Sequence, residues 1–211
     1  MRYVSAAMLA AMLALAPARA ADLGGSTKDT DVGRVFAAKS GTLYLNPFLG
    51  ASLQISEIDQ AHVAIGLKGV LAGLRAGGDI SIGDGYIVGL FAEGAYSGAS
   101  ARLPLSIYSI EQTFEWGGGV RVGRQYDRTL FYAIPAQYVR IHEVVNGADW
   151  SKDLGGYRVG LGSEVTLGSG YGLTFEAGWA WFQDTGATFA DMPATVVSRR
   201  GDFRVGLTRR F

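Results

Sequence analysis

The sequence predicts an all-β protein: an eight-stranded, antiparallel, up-and-down β-barrel that crosses a membrane. Three observations carry this. After residue 20 the chain breaks into segments of about ten residues with alternating apolar and polar side chains, separated by turn residues. Hydrophobic residues make up 48% of the chain, yet no later run approaches the roughly 18 apolar residues that a membrane helix needs. A closed barrel is the other structure that satisfies every backbone group inside lipid. The connections also alternate between short and long, the asymmetry that membrane barrels show.

The first 20 residues read as a signal peptide. Arg2 supplies a positive start, Val4 to Ala16 an apolar run, and Ala18-Arg19-Ala20 a small-residue cleavage site. Residues 21–40 are polar and patternless, a periplasmic lead-in. Residues 41–211 form the barrel. Losing residues 1–20 removes Arg2 and Arg19, so Lys+Arg falls from 19 to 17 against 19 Asp+Glu. A charge of about −2 argues against a nucleic-acid partner. With no cysteine there is no disulfide frame and no thiolate metal site. The chain is expected to need no cofactor and no metal.

Each strand follows from its alternation. Thr42–Ala51 is the first and patterns poorly, because Tyr44, Asn46 and Pro47 blur its faces. Lys68–Ile82 sets Val70, Ala72, Leu74, Ile80 and Ile82 against Arg75 and Asp79. Tyr86–Ser97 sets Tyr86, Val88, Leu90, Ala92 and Tyr96 against Glu93. Thr113–Gln125 sets Phe114, Trp116, Val120 and Val122 against Glu115 and Arg121. Leu130–Ile141 offers Leu130, Tyr132, Ile134, Ala136 and Tyr138 as its apolar face, but its other face is also fairly apolar. Tyr157–Leu167 sets Tyr157, Val159, Leu161 and Val165 against Arg158 and Glu164. Tyr171–Phe182 sets Tyr171, Phe175, Trp179 and Trp181 against Thr174 and Glu176. From Gly201 the odd positions run Gly201, Phe203, Val205, Leu207, Arg209 and Phe211, and the even ones include Asp202, Arg204 and Arg210.

Gly83-Asp84-Gly85, Tyr126–Thr129 and Gly168–Gly170 are the short turns. Ser52–Leu67, Gly98–Gln112, Glu143–Gly156 and Gln183–Ser198 are the four long connections, expected to be extracellular loops. Under this threading the outward aromatics sort by height. Tyr86, Tyr132, Tyr171 and Phe211 fall at the periplasmic ends of strands. Tyr96, Phe114, Trp116, Tyr157, Trp179, Trp181 and Phe203 fall toward the extracellular ends. Two aromatic girdles result.

With lipid outside, the charged face points inward: Arg75, Arg121, Arg158, Arg204 and Arg210 against Asp79, Glu93, Glu115, Glu164, Glu176 and Asp202. Charges in so narrow a lumen must pair or keep water. Eight strands enclose a space that side chains fill, so a closed, ion-paired plug is expected. At the extracellular rim, Arg102, Arg140, Lys152, Arg199 and Arg200 are candidate contacts for lipopolysaccharide phosphates. The two histidines, His62 and His142, are read as solvated loop residues rather than catalytic ones. No serine is fixed beside either.

Four stretches carry a family resemblance: Ala20-Ala21-Asp22-Leu23, Gly89–Tyr96, Arg121–Arg128 followed by Leu130-Phe131-Tyr132-Ala133, and Arg204–Phe211. On these the chain resembles the OmpA-like superfamily of eight-stranded outer-membrane β-barrels, in particular the porin-family small barrels of alphaproteobacteria. The resemblance implies outer-membrane localisation in a Gram-negative bacterium. It also implies contact with outer-membrane lipid and lipopolysaccharide, and a terminal Phe211 read by the barrel assembly machinery. Such proteins stabilise the envelope, serve as adhesins or antigens, or form narrow channels. A non-enzymatic structural or surface-interaction role through the four loops is the leading expectation. The alternatives are a narrow porin-like channel and, remotely, a lipid-modifying enzyme. The poor first strand departs from the pattern. The sequence shows no peptidoglycan-binding domain after Phe211, so a cell-wall link is not implied.

Overall fold

The computed structural model describes residues 41–58, 63–102, 109–146, 150–189 and 192–211. The expected signal peptide, the lead-in and His62 lie outside these residues. Among the described residues nine strands form one sheet: β1 (Thr42–Ile58), β2 (Val63–Gly83), β3 (Tyr86–Ser97), β4 (Ser100–Arg102), β5 (Ser109–Tyr126), β6 (Thr129–Asn146), β7 (Trp150–Gly168), β8 (Tyr171–Phe189) and β9 (Met192–Arg210). All pairings are antiparallel, and β1 pairs with both β2 and β9, which closes the barrel. The short β4 continues β3 past Gly98-Ala99 and pairs with β2 and β5. The ring therefore has eight staves.

Three tight turns share one rim with the two ends of the barrel chain. At Asp84-Gly85 φ is 49° and 77°, and at Ser169-Gly170 it is 51° and 76°. Two successive positive φ values make the turn whose twist matches a hairpin, and glycine at the second position adopts it without strain. At the third turn Asp127 has φ 50°. Phe211 donates its backbone N–H to the Leu43 carbonyl at 3.0 Å and ties the last residue to β1.

The staves are longer than the sequence suggests. β2 has 21 residues and β7, β8 and β9 have 19 each, against roughly 9–11 needed to cross a membrane. Three of the four expected long loops are mostly strand; in the fourth, Gly98–Gln112, strand covers Ser100–Arg102 and the start of β5 from Ser109. Ser52, Gln54 and Ser56 of β1 are buried while Leu53 and Ile55 are exposed, so alternation simply continues past Ala51.

β1 is also better patterned than its composition implies. Tyr44, Asn46 and Phe48 are buried, and Leu43 and Leu49 are exposed. Aromatic side chains on the inner face hid the alternation. They are there to carry arginines: Arg121 lies 3.9 Å above the Tyr44 ring and Arg204 lies 4.9 Å from the Phe48 ring.

β6 is where the expected face is half wrong. Leu130, Tyr132 and Ile134 are buried, whereas Phe131 and Tyr138 are exposed. Between Ile134 and Gln137 the pairing with β7 slips by one residue. Pro135 and Ala136, both exposed, form the bulge. Proline has no N–H for the ladder and sits well at a bulge, which exchanges the two faces of the strand. Tyr132 thus leaves the expected periplasmic girdle for the interior, and Phe131 takes its place.

Candidate functional site

The barrel is inside-out relative to a soluble protein. Leu90 is 66% exposed and Leu161 69%, while Arg158 is fully buried. Among the described residues, exposed charges cluster at the two ends: Asp84, Asp127 and Arg128 near the tight turns, and Glu57, Lys68, Arg102, Arg140, Asp153 and Arg199 toward the other end. The apolar belt between them requires an apolar surrounding. The candidate site is therefore the lumen, together with the upper outer face.

Strand period two aims every second side chain of each stave into the lumen. Near the tight-turn rim, Arg121 pairs with Asp79 through two nitrogens, one of them Nε to Oδ1 at 2.7 Å. Arg210 donates to Asp79 Oδ2 at 2.7 Å and grips both oxygens of Glu164 at 2.8 Å. Further in, Arg75 places two nitrogens on Glu176 at 2.6 and 2.9 Å and its Nε on Glu93 at 2.8 Å. The Tyr132 hydroxyl also donates to Glu176, at 3.0 Å. Arg158 forks onto Asp202 at 2.9 and 2.7 Å and reaches the Gln137 carbonyl oxygen at 3.0 Å. Gly178 permits this fork, because a Cβ there would collide with the Arg158 guanidinium.

Arg204 bridges Glu93 at 2.7 Å and Glu115 at 3.2 Å, and Arg200 meets the other Glu115 oxygen at 2.5 Å. Above this layer the lumen is lined by amides and hydroxyls around one carboxylate, Glu143. Gln112 donates to Gln54 at 2.9 Å and to Glu143 at 2.8 Å, and the Ser56 and Ser198 hydroxyls lie 2.7 Å apart. Bidentate guanidinium–carboxylate pairs fix geometry as well as charge, so this is a rigid packing of ions. The cavity beside Asn46, Phe48, Arg75, Thr174, Glu176 and Arg204 is about 10 Å³, room for a single water.

All eleven lumen charges expected from the sequence are buried inside the barrel. Sequence reasoning missed Arg200, which is fully buried against Glu115 and is not a rim contact. The signal was present: from Gly201 the odd positions face out, so Arg200 falls on the inner, even face. It also missed Gln54, Gln112, Gln137 and Glu143, polar residues whose strands it ended too early or placed in uncertain register.

Of the other rim candidates, Arg102 and Arg199 are exposed, and Arg140 is paired with Asp153 at 3.2 Å. The backbone of Lys152 pairs with Glu143. Tyr86, Phe211, Tyr96, Phe114, Trp116, Tyr157, Trp179, Trp181 and Phe203 are exposed on the outer wall, and Tyr171 is partly so. Tyr138 joins the upper ring, edge-on to Trp116 and Tyr157 at 6.2 and 6.0 Å. His142 faces outward, its Nδ1 2.7 Å from Asp153 Oδ1.

Among solved structures, Neisserial surface protein A matches over 82% of this chain and 100% of its own, at 14% identity and a TM-score of 0.53. The fold is that of the small outer-membrane β-barrels. Two looser likenesses are OprG of Pseudomonas aeruginosa (12% identity, 81% of this chain, 95% of its own, TM-score 0.45) and the outer-membrane protease OmpT of Escherichia coli (9%, 82%, 98%, 0.41). No family model matches the sequence. No curated protein matches it either.

Proposed function

We propose that the chain is a non-enzymatic integral protein of a Gram-negative outer membrane, exported with a cleaved signal peptide and assembled through its C-terminal strand. Its barrel is a sealed, ion-paired scaffold. Its working surface is the extracellular end, where it supports the envelope or contacts other surfaces.

The single observation that carries this reading is the cross-lumen network. Arg75–Glu176, Arg158–Asp202, Arg204–Glu93 and Arg210–Glu164 join staves that are far apart in the chain. Buried, mutually paired charges leave little room for a water-filled path. Refolded protein in planar bilayers is expected to be silent, with folding verified by heat-modifiable mobility. Steady, reproducible openings from the folded protein would move the narrow-channel reading to the front.

The enzyme reading runs through His62 or His142, of which His142 lies among the described residues. That histidine pairs with Asp153 beside Arg140 on the outer wall, which is a surface ion cluster. His142→Ala is expected to leave lipid A and phospholipid composition unchanged in cells expressing the protein. A changed lipid profile, read by mass spectrometry of extracted lipids, would reinstate catalysis.

A further inference from the structure

The outer wall of β6–β9 carries a feature that a sealed scaffold does not use. Near its upper end Tyr138 stands opposite Tyr157, Tyr157 opposite Trp181, and Trp181 opposite Arg199. Trp179, two residues along β8, stands opposite Gly201. Gly155 stands two residues above Tyr157 on β7. Gly155 adds no side chain to this wall beside the Tyr138 hydroxyl, and Gly201 lets the Trp179 ring lie down on the backbone of β9. The result is an open groove of about 760 Å³ whose lining includes Tyr138, Gly155, Tyr157, Trp179, Trp181 and Arg199.

Among the described residues the charge at this groove is unmatched. Arg140, on the same wall, is held by Asp153. Arg199 is exposed and has no carboxylate or hydrogen-bond partner among the described residues. A guanidinium beside an apolar belt is costly unless it meets an anion or water. Aromatic walls take hydrocarbon, and a guanidinium takes phosphate oxygens in a bidentate grip. An occupant with an acyl tail and a phosphate head satisfies both at once.

We propose that this groove is a slot for one phosphorylated lipid of the surrounding leaflet. Its phosphate lies on Arg199, and an acyl chain runs along Tyr157, Trp179 and Trp181. The proposal rests on the membrane-barrel reading above, since only a barrel in lipid presents this wall to acyl chains.

The test uses the full refolded protein in non-ionic detergent, titrated with lipid A and read by native mass spectrometry. A saturable one-to-one adduct is expected. Arg199→Ala is expected to weaken it at least tenfold, and Arg199→Lys by less. Removing the lipid A phosphates should weaken wild-type binding to a similar degree and change Arg199→Ala binding little. Gly155→Trp, which fills the groove from the wall, should weaken both forms of the lipid. Equal affinity of wild type and Arg199→Ala would overturn the proposal. So would displacement of the lipid by equimolar inorganic phosphate, which would indicate an anion site without a tail. Insertion into vesicles and heat-modifiable mobility are measured alongside. A protein that does not insert would defeat the barrel reading itself, whereas an inserted protein without phosphate-dependent binding would defeat the slot alone.

Discussion

Arg158→Ala is expected to destabilise the folded barrel by about 3–5 kcal/mol, the usual cost of removing one partner from a buried ion pair. Arg158 is fully buried, forks onto Asp202, lies 2.9 Å from Glu176 and reaches Gln137. Without it, the nearest cation left to the Asp202 carboxylate among the described residues is Arg204, at 2.8 Å. The loss comes from an uncompensated buried charge rather than from the worth of the pair. The double variant Arg158→Met with Asp202→Leu is therefore expected to recover much of the stability, because it removes both charges and keeps the volume. Urea unfolding in lipid vesicles, followed by tryptophan fluorescence, separates the three proteins by midpoint. An Arg158→Ala midpoint equal to wild type would mean that water already solvates this layer, and the lumen would then be open.

The same ion pairs explain why the interior was legible from the sequence. Eleven charges at alternate positions have only one dry-membrane-compatible direction to point, and the structure puts all eleven there. Period two carries that information wherever the outer face is apolar and the inner one charged. It fails where the inner face is itself aromatic, as at Tyr44 and Phe48 of β1. There the arginines of other staves supply the reason for the rings, and a single strand does not contain it. It fails again at β6, where Pro135 marks a bulge that reverses the phase and sends Tyr132 inside. Proline in a strand segment was the available sign. The long connections are shorter than the composition suggests because Ser and Gln on an inner face resemble loop residues, while here they line the polar upper lumen. The slot on the upper wall joins four strands at positions fixed by register. No local pattern in the sequence brings Tyr138, Trp181 and Arg199 together.

Lipid on the outside is the premise under every functional statement made for this chain, and Leu161→Arg tests it most directly. Leu161 is 69% exposed on β7, with Tyr157 toward the upper girdle and Leu167 toward the tight turn. Its cross-strand partners are Ala133 of β6 and Ala177 of β8, so an arginine there finds no carboxylate beside it. In water an exposed Leu→Arg change on a strand is close to neutral. At the middle of a lipid-facing band it costs about 2–4 kcal/mol, falling toward zero near the interfaces. Tyr157→Arg, at the upper aromatic ring, should accordingly cost much less than Leu161→Arg. The gradient between the two variants is the measurement: urea midpoints in vesicles, with the same variants unfolded from detergent micelles for comparison. A depth-dependent loss in vesicles places Leu161 in hydrocarbon. Equal, small losses at both positions would put this wall in water and remove the membrane from the account altogether.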